Sequence, residues 1–117
     1  MKIGYARVST YEQNLDLQID ELKKNGCEKI YEEKVSGSKA DRPILQDMLK
    51  NLRSEDVLVV WKLDRLGRSL KDLLEIVTML QNDNVGLISL KETIDTTSTT
   101  GKLIFSIFGA LAEYEKD

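Results

Sequence analysis

Apolar positions along the chain switch repeatedly between a strand-like and a helix-like spacing. The run Met1 to Ala6, with Tyr5 and Val8, opens as a short strand that ends at Ser9-Thr10. Thr10-Tyr11-Glu12-Gln13 places a hydroxyl three residues ahead of a glutamine, the capping-box spacing, so a helix is predicted to begin there. Leu15, Ile19 and Leu22 fall on one helical face, and Gly26 supplies a stop. Lys29 to Val35, built around Ile30, Tyr31 and Val35, predicts a second strand. After the polar loop Ser36 to Asp41, Pro43 suits a first helical turn, and Leu45, Met48, Leu49 and Leu52 mark the face of that helix. Val57 to Trp61 is a short, continuous apolar run rich in β-branched residues, the pattern of a central strand covered on both sides. Ser69 to Asp72 is a second capping signal, followed by a stripe of Leu70, Leu73, Leu74, Val77 and Leu80. Val85 to Leu90 predicts the next strand. Thr93 to Thr100 reads as a hydroxyl-rich connection, and residues 100–117 as a final helix with Leu103, Ile104, Ile107, Phe108 and Leu111 on its apolar face.

The order β-α-β-α-β-α-β-α predicts an α/β domain with a mostly parallel sheet flanked by helices. A chain of 117 residues with one proline, seven glycines and 41% hydrophobic residues is one domain with one core, and neither collagen-like nor disordered. The single cysteine, Cys27, cannot form an internal disulfide, which favours a reducing compartment; a cytoplasmic location is expected. The absence of histidine excludes a Ser-His-Asp triad, a Cys-His pair and a His-based zinc site. No apolar run reaches the ~20 residues of a membrane span. The net charge of −3 argues against a general nucleic-acid binder, whose usual footprint is basic.

Candidate chemistry lies where strands hand over to turns, the side on which open α/β sheets bind ligands. The first strand delivers Arg7-Val8-Ser9, and the central strand delivers Asp64-Arg65-Leu66-Gly67-Arg68-Ser69. If these strands are neighbours, one serine, three arginines and one aspartate converge. Each piece alone has an ordinary reading: a hydroxyl before a helix is usually a cap, and an arginine after a strand is usually solvated or paired with a carboxylate such as Asp64. Together, guanidinium forks in an acidic protein ask for an anion, and their planar geometry suits phosphate. Fixed cations stabilise the charge that develops in phosphoryl transfer. A serine nucleophile needs help with its proton; a nearby arginine lowers the cost of the alkoxide, and Asp64 either orients that arginine or protonates a leaving group. No Walker-type glycine loop supports a nucleotide enzyme.

Four ordered blocks resemble the resolvase/invertase family of serine recombinases: Tyr5-Ala6-Arg7-Val8-Ser9-Thr10 with Gln13, Leu15, Asp16 and Gln18; Ser36-Gly37-Ser38 with Asp41-Arg42-Pro43; Lys62 to Arg68; and Phe108 to Glu115. The resemblance implies that Ser9 attacks a DNA phosphodiester, becomes joined to a 5′-phosphate and releases a 3′-hydroxyl, with strand exchange in a synaptic tetramer and no metal or other cofactor. It further implies that Arg7, Arg65 and Arg68 cradle the scissile phosphate, that Asp64 belongs to the same cluster, and that Gln18 and Arg42 support it. Tyr5, Ser36, Glu115 and Lys116 match DNA-binding or supporting motif positions. Lys116 stands where the family commonly has arginine, which keeps the charge and loses the bidentate fork.

The resemblance leads us to expect a catalytic domain of a longer protein, residues 1–117, whose DNA-recognition part lies outside this sequence. It also leads us to expect double-stranded DNA as partner, and a homodimer that becomes a tetramer at synapsis. Weak DNA binding by the acidic domain alone follows, because non-specific affinity tracks the phosphates neutralised. Two other function classes stand beside site-specific recombination. One is a catalytically inactive DNA-associated oligomerisation module of the same fold, against which the retained serine, arginines and Asp64 argue. The other is a small-molecule phosphatase or signalling domain, which would turn over phosphomonoesters.

Overall fold

The computed structural model describes residues 1–9, 15–35, 42–104 and 106–107, with Ser9 and Val35 described by their backbone alone. The elements are β1 (Lys2–Ser9), α1 (Leu15–Lys24), β2 (Lys29–Val35), α2 (Pro43–Asn51), β3 (Val57–Val60), a 3-10 turn (Leu63–Arg65), α3 (Leu70–Asn82), β4 (Gly86–Ser89) and β5 (Ile94–Asp95). Residues 99–104 and 106–107 are helical. The capping signal at Thr10, the loop Ser36 to Asp41 and the predicted apolar positions Phe108 and Leu111 lie outside the described residues.

The sheet order is β2-β1-β3-β4-β5, with parallel pairing from β2 to β4 and β5 antiparallel to β4. The α/β class and the mostly parallel sheet agree with the hydrophobic pattern, and β3 takes the predicted central place. β5 corrects that reading: it forms within what the pattern shows as a plain connection. Its single buried apolar residue, Ile94, gives no period, and it is held by non-local bonds, with Thr96 N–H donating to the Leu87 carbonyl at 2.8 Å and its hydroxyl accepting from Leu87 N–H at 2.8 Å.

One face of the sheet carries the larger core. Ile3, Tyr5, Leu58, Val60 and Leu87 pack there against Leu45 and Met48 of α2 and against α3. On α3 the buried stripe is Leu73, Ile76, Val77 and Leu80, spaced i, i+3, i+4 and i+7. Ile76 therefore takes an inward position, and Leu70 and Leu74 are only half-buried. The opposite face is smaller: Ala6, Leu22 and Val59 are buried under α1, with Leu15 and Ile19 against them. No helix among the described residues is long and apolar enough to cross a membrane.

The strand order fixes where a ligand fits. From β1 the chain passes to β2 on one side and then returns to β3 on the other, so the topology reverses between β1 and β3. In open α/β sheets the crevice beyond the carboxyl ends of the strands at such a reversal is the binding place. The two segments singled out by their chemistry both end there.

Candidate active site

β1 and β3 pair from Lys2↔Val57 to Tyr5↔Val60, after which β3 gives way to the 3-10 turn. The Arg7 peptide lies past the end of that ladder, and the buried Gln18 amide of α1 meets it. Gln18 Oε1 accepts the Arg7 N–H at 3.3 Å and Nε2 donates to the Arg7 carbonyl at 3.1 Å. An amide side chain thus takes the place of a strand peptide. The Arg7 guanidinium reaches across to the turn, Nε donating to the Arg65 carbonyl at 3.0 Å and Nη2 to the Asp64 carbonyl. A cation on the last carbonyls of a helical turn is favourable in both hydrogen bonding and dipole. Burial pulls the Arg7 pKa down, and the neighbouring Arg42 and Arg65 charges add to this, although a guanidinium stays charged.

Behind this contact lies a second, buried layer. Arg42, 5% exposed, donates from Nη1 to the Leu66 carbonyl and from Nη2 to Asp72 Oδ2 at 2.8 Å. Asp72 Oδ2 also accepts the Arg68 N–H at 2.9 Å, and Ser69 Oγ accepts the Asp72 N–H at 3.1 Å, the cap that the sequence predicts for α3. Tyr5 is fully buried and its hydroxyl donates to Glu33 Oε1 at 2.5 Å. Glu33 in turn accepts the Ile44 and Leu45 N–H groups at 3.0 and 3.2 Å. The α2 N-terminus has no side-chain cap of its own at Arg42, so a carboxylate from β2 satisfies its first turn. Burial, and then the bond to Glu33, raise the Tyr5 pKa above the ordinary tyrosine value.

The outer layer is looser. Asp64 is exposed, and the Arg65 guanidinium lies 5.8 Å from the Trp61 ring centroid. The Arg68 side chain is 47% exposed, with Nε 3.8 Å from Asp72 Oδ2. Gly67 between them allows a close approach: a Cβ there would stand 2.6 Å from Leu73 Cβ and 2.7 Å from Leu73 Cα. Ser9 is the last residue of β1, in register with Val35, and its side chain lies outside the description. Ser36, Glu115 and Lys116 lie outside the described residues.

Arg7, Gln18, Asp64 and Arg65 therefore meet directly, and Arg42 and Arg68 meet through Asp72. Tyr5 stands deeper, joined to α2 through Glu33. Sequence reasoning passes over Glu33 and treats Asp72 only as part of a capping signal. The available clue to Glu33 is its strand position, two residues from both Tyr31 and Val35 and so on their side of β2.

The family model described as "Resolvase, N terminal domain" matches residues 2–117. The chain belongs to the resolvase family. This resolvase domain is 51% identical over 119 residues to the transposon Tn552 DNA-invertase BinR of Staphylococcus aureus, covering 100% of this chain and 62% of that protein. It is likewise 51% identical over 117 residues to the serine recombinase gin of Escherichia phage Mu, covering 100% of this chain and 61% of that one. The resolvase domain thus spans about three fifths of the length of these curated relatives. Its fold is similar to the crystal structure of the N-terminal catalytic domain of TP901-1 integrase, with a TM-score of 0.83, 33% identity, and coverage of 99% of this chain and 97% of that one.

Proposed function

We propose that this domain is the catalytic part of a site-specific serine recombinase acting on double-stranded DNA, with Ser9 as nucleophile. The Ser9 Oγ–phosphorus bond forms as the bond from phosphorus to the 3′-oxygen breaks. The Ser9 hydroxyl gives up its proton as it attacks, the departing oxygen gains one to become a 3′-hydroxyl, and the domain stays joined to the 5′-phosphate. The reverse attack by a 3′-hydroxyl reseals the strand. Bond energy is conserved in the phosphoserine diester, so the cycle needs no high-energy cofactor.

The observation that carries this reading is the grip of Arg7 on the 64–65 carbonyls at the β1/β3 reversal, which brings the strand end bearing Ser9 against the turn bearing the arginines. A guanidinium has five N–H donors, so Arg7 can hold the turn and a phosphate oxygen together. Arg65 and Arg68 complete the cradle in this reading, with Asp64 in the same cluster. Gln18, Arg42 and Tyr5 act as positioning residues, and Ser36, Glu115 and Lys116 as further supporting ones. The domain works as a dimer that becomes a tetramer at synapsis. Leu103 and Ile107, 61% and 52% exposed, offer the apolar surface for a second copy.

The test replaces the matched segment of the phage Mu recombinase with this chain and assays the chimera on that enzyme's own sites. Denatured reactions should contain protein attached to 5′ DNA ends, and Ser9→Ala should remove the adduct while leaving the fold intact. An adduct that survives Ser9→Ala would overturn the assignment and move attention to Thr10. Turnover of phosphomonoesters by the domain alone would favour a phosphatase instead.

A further inference from the structure

Three cationic groups gather over one indole just beyond the site. The Lys62 ammonium lies 4.7 Å, the Lys91 ammonium 5.5 Å and the Arg65 guanidinium carbon 5.8 Å from the centroid of the buried Trp61 ring. All are within the ~6 Å over which an aromatic face attracts a cation. They arrive from two directions. Lys62 leads into the 3-10 turn, whereas Lys91 follows β4, its N–H donating to the Trp61 carbonyl at 2.9 Å and so extending the β3–β4 pairing past both strands.

An indole face is by itself only a weak counter-charge for the two lysines. Two of the carboxylates nearby are engaged elsewhere. Glu92 accepts the Leu63 N–H at 3.3 Å and the Ser89 hydroxyl. Glu21, which lines the same shallow groove as Trp61 and Lys91, lies 3.7 Å from Lys24. Among the described residues no carboxylate stands within ion-pair distance of Lys62 or Lys91. Lys91 is exposed and Lys62 half-buried, so both remain open to an incoming anion.

We infer that Lys62 and Lys91, seated on Trp61, form a clamp for DNA backbone phosphates next to the scissile one. The inference rests on the DNA reading above and extends it to residues that the catalytic cluster leaves unused. Neighbouring strands lie ~4.8 Å apart, so the row from Arg7 on β1, past Lys62 and Arg65 after β3, to Lys91 after β4 spans about 10 Å of the sheet edge. That is the rise of about three phosphates at ~3.4 Å each along one strand. The division of labour follows from the side chains. The planar forks of the arginines suit the reacting phosphate, while hydrated ammonium point charges hold its neighbours without demanding a fixed geometry. The indole holds the lysine stems in place before DNA arrives.

Trp61 is the only tryptophan, so its emission reports on the clamp directly. The purified 117-residue chain is titrated with a labelled duplex over a series of salt concentrations, following both duplex anisotropy and Trp61 emission. Duplex should change the emission in a salt-sensitive way. The Lys62→Gln/Lys91→Gln variant should lower the slope of log affinity against log salt by ~1.8, at ~0.9 per phosphate contact. Between 50 and 200 mM salt this makes the change in affinity about twelvefold smaller. The double arginine variant should restore the slope, which separates lost charge from a damaged fold. An unchanged slope in the glutamine variant overturns the clamp, as does a lowered slope with silent Trp61 emission. Ser9→Ala should keep the full slope. A failure of the nucleophile assignment would therefore appear in the adduct assay alone, and a failure of the clamp in the slope or the Trp61 emission of the titration.

Discussion

The two layers of the site are built from similar residues and held in opposite ways. In the inner layer Tyr5, Glu33, Arg42 and Asp72 are buried or largely so, and each makes a side-chain hydrogen bond to a group on another element or at the head of a helix. In the outer layer Asp64 and Arg68 stand in solvent, and Arg68 meets its carboxylate only at 3.8 Å. Charge that is buried must be matched, because an unmatched partner is penalised by its full desolvation. Charge at the surface is cheap to leave loose and free to meet a ligand. The arginine that fixes geometry and the arginine left open to a ligand are thus told apart by what surrounds them, since the side chain is the same.

Removing a member of each layer should widen that contrast. The largest effect on stability is expected from Glu33→Ala, which leaves the Tyr5 hydroxyl and two α2 N–H groups buried without an acceptor. A loss of about 3–5 kcal/mol follows from stranding these donors, at ~1–3 kcal/mol for each buried one, read as a lower urea midpoint with little change in slope.

Tyr5→Phe comes next. It removes one hydrogen bond to a charged group, worth about 2 kcal/mol at neutral pH, and it tests the pH dependence as well. The folded-state pKa of Tyr5 is raised above the unfolded value of about 10. Its contribution is therefore fully present below pH ~10 and is lost as the pH climbs from there toward the raised value. Urea unfolding of the two proteins should differ most at pH 8 and converge in strong alkali. A gap that stays constant with pH would separate Tyr5 from that titration.

Arg68→Ala should move stability least, within about 0.5 kcal/mol, because its ion pair is half-exposed and long. Adduct formation by the chimera should nevertheless fall ~100-fold or more, the usual cost of losing a preorganised charge on a transition state. A large stability loss with normal adduct formation would place Arg68 in the inner layer.

Periodicity revealed the strands β1 to β4, the helices α1 to α3, and the Ser69 cap, because each depends on residues close in sequence. The meeting of Arg7 with the 64–65 turn was foreseeable once β1 and β3 were taken as neighbours. The buried layer was much less legible. Glu33 reads as a solvent-facing charge on a strand until α2 is placed over it, and Asp72 reads as a first-turn acid until Arg42 arrives from 30 residues away. The Gln18 clamp on the Arg7 peptide and the two-residue β5 share this character. Both depend on a hydrogen-bonding group on another element, about ten residues away, that a repeating hydrophobic pattern does not reveal.

Glu33 has one more consequence, and it concerns what the molecule avoids. Among the described residues β2 is the outermost strand on its side of the sheet and seven residues long, whereas the opposite margin is the two-residue β5. A long open strand is a template for another chain to add to, and proteins blunt such margins with charges, including inward-pointing ones. A fibril built on β2 would have to seal its side chains in a dry interface between stacked sheets. The Glu33 carboxylate, whose donors are two α2 N–H groups and the Tyr5 hydroxyl of β1, would then lose the pair that α2 supplies. The group that caps a helix in the folded domain also makes this strand a poor seed for aggregation once the helix has left.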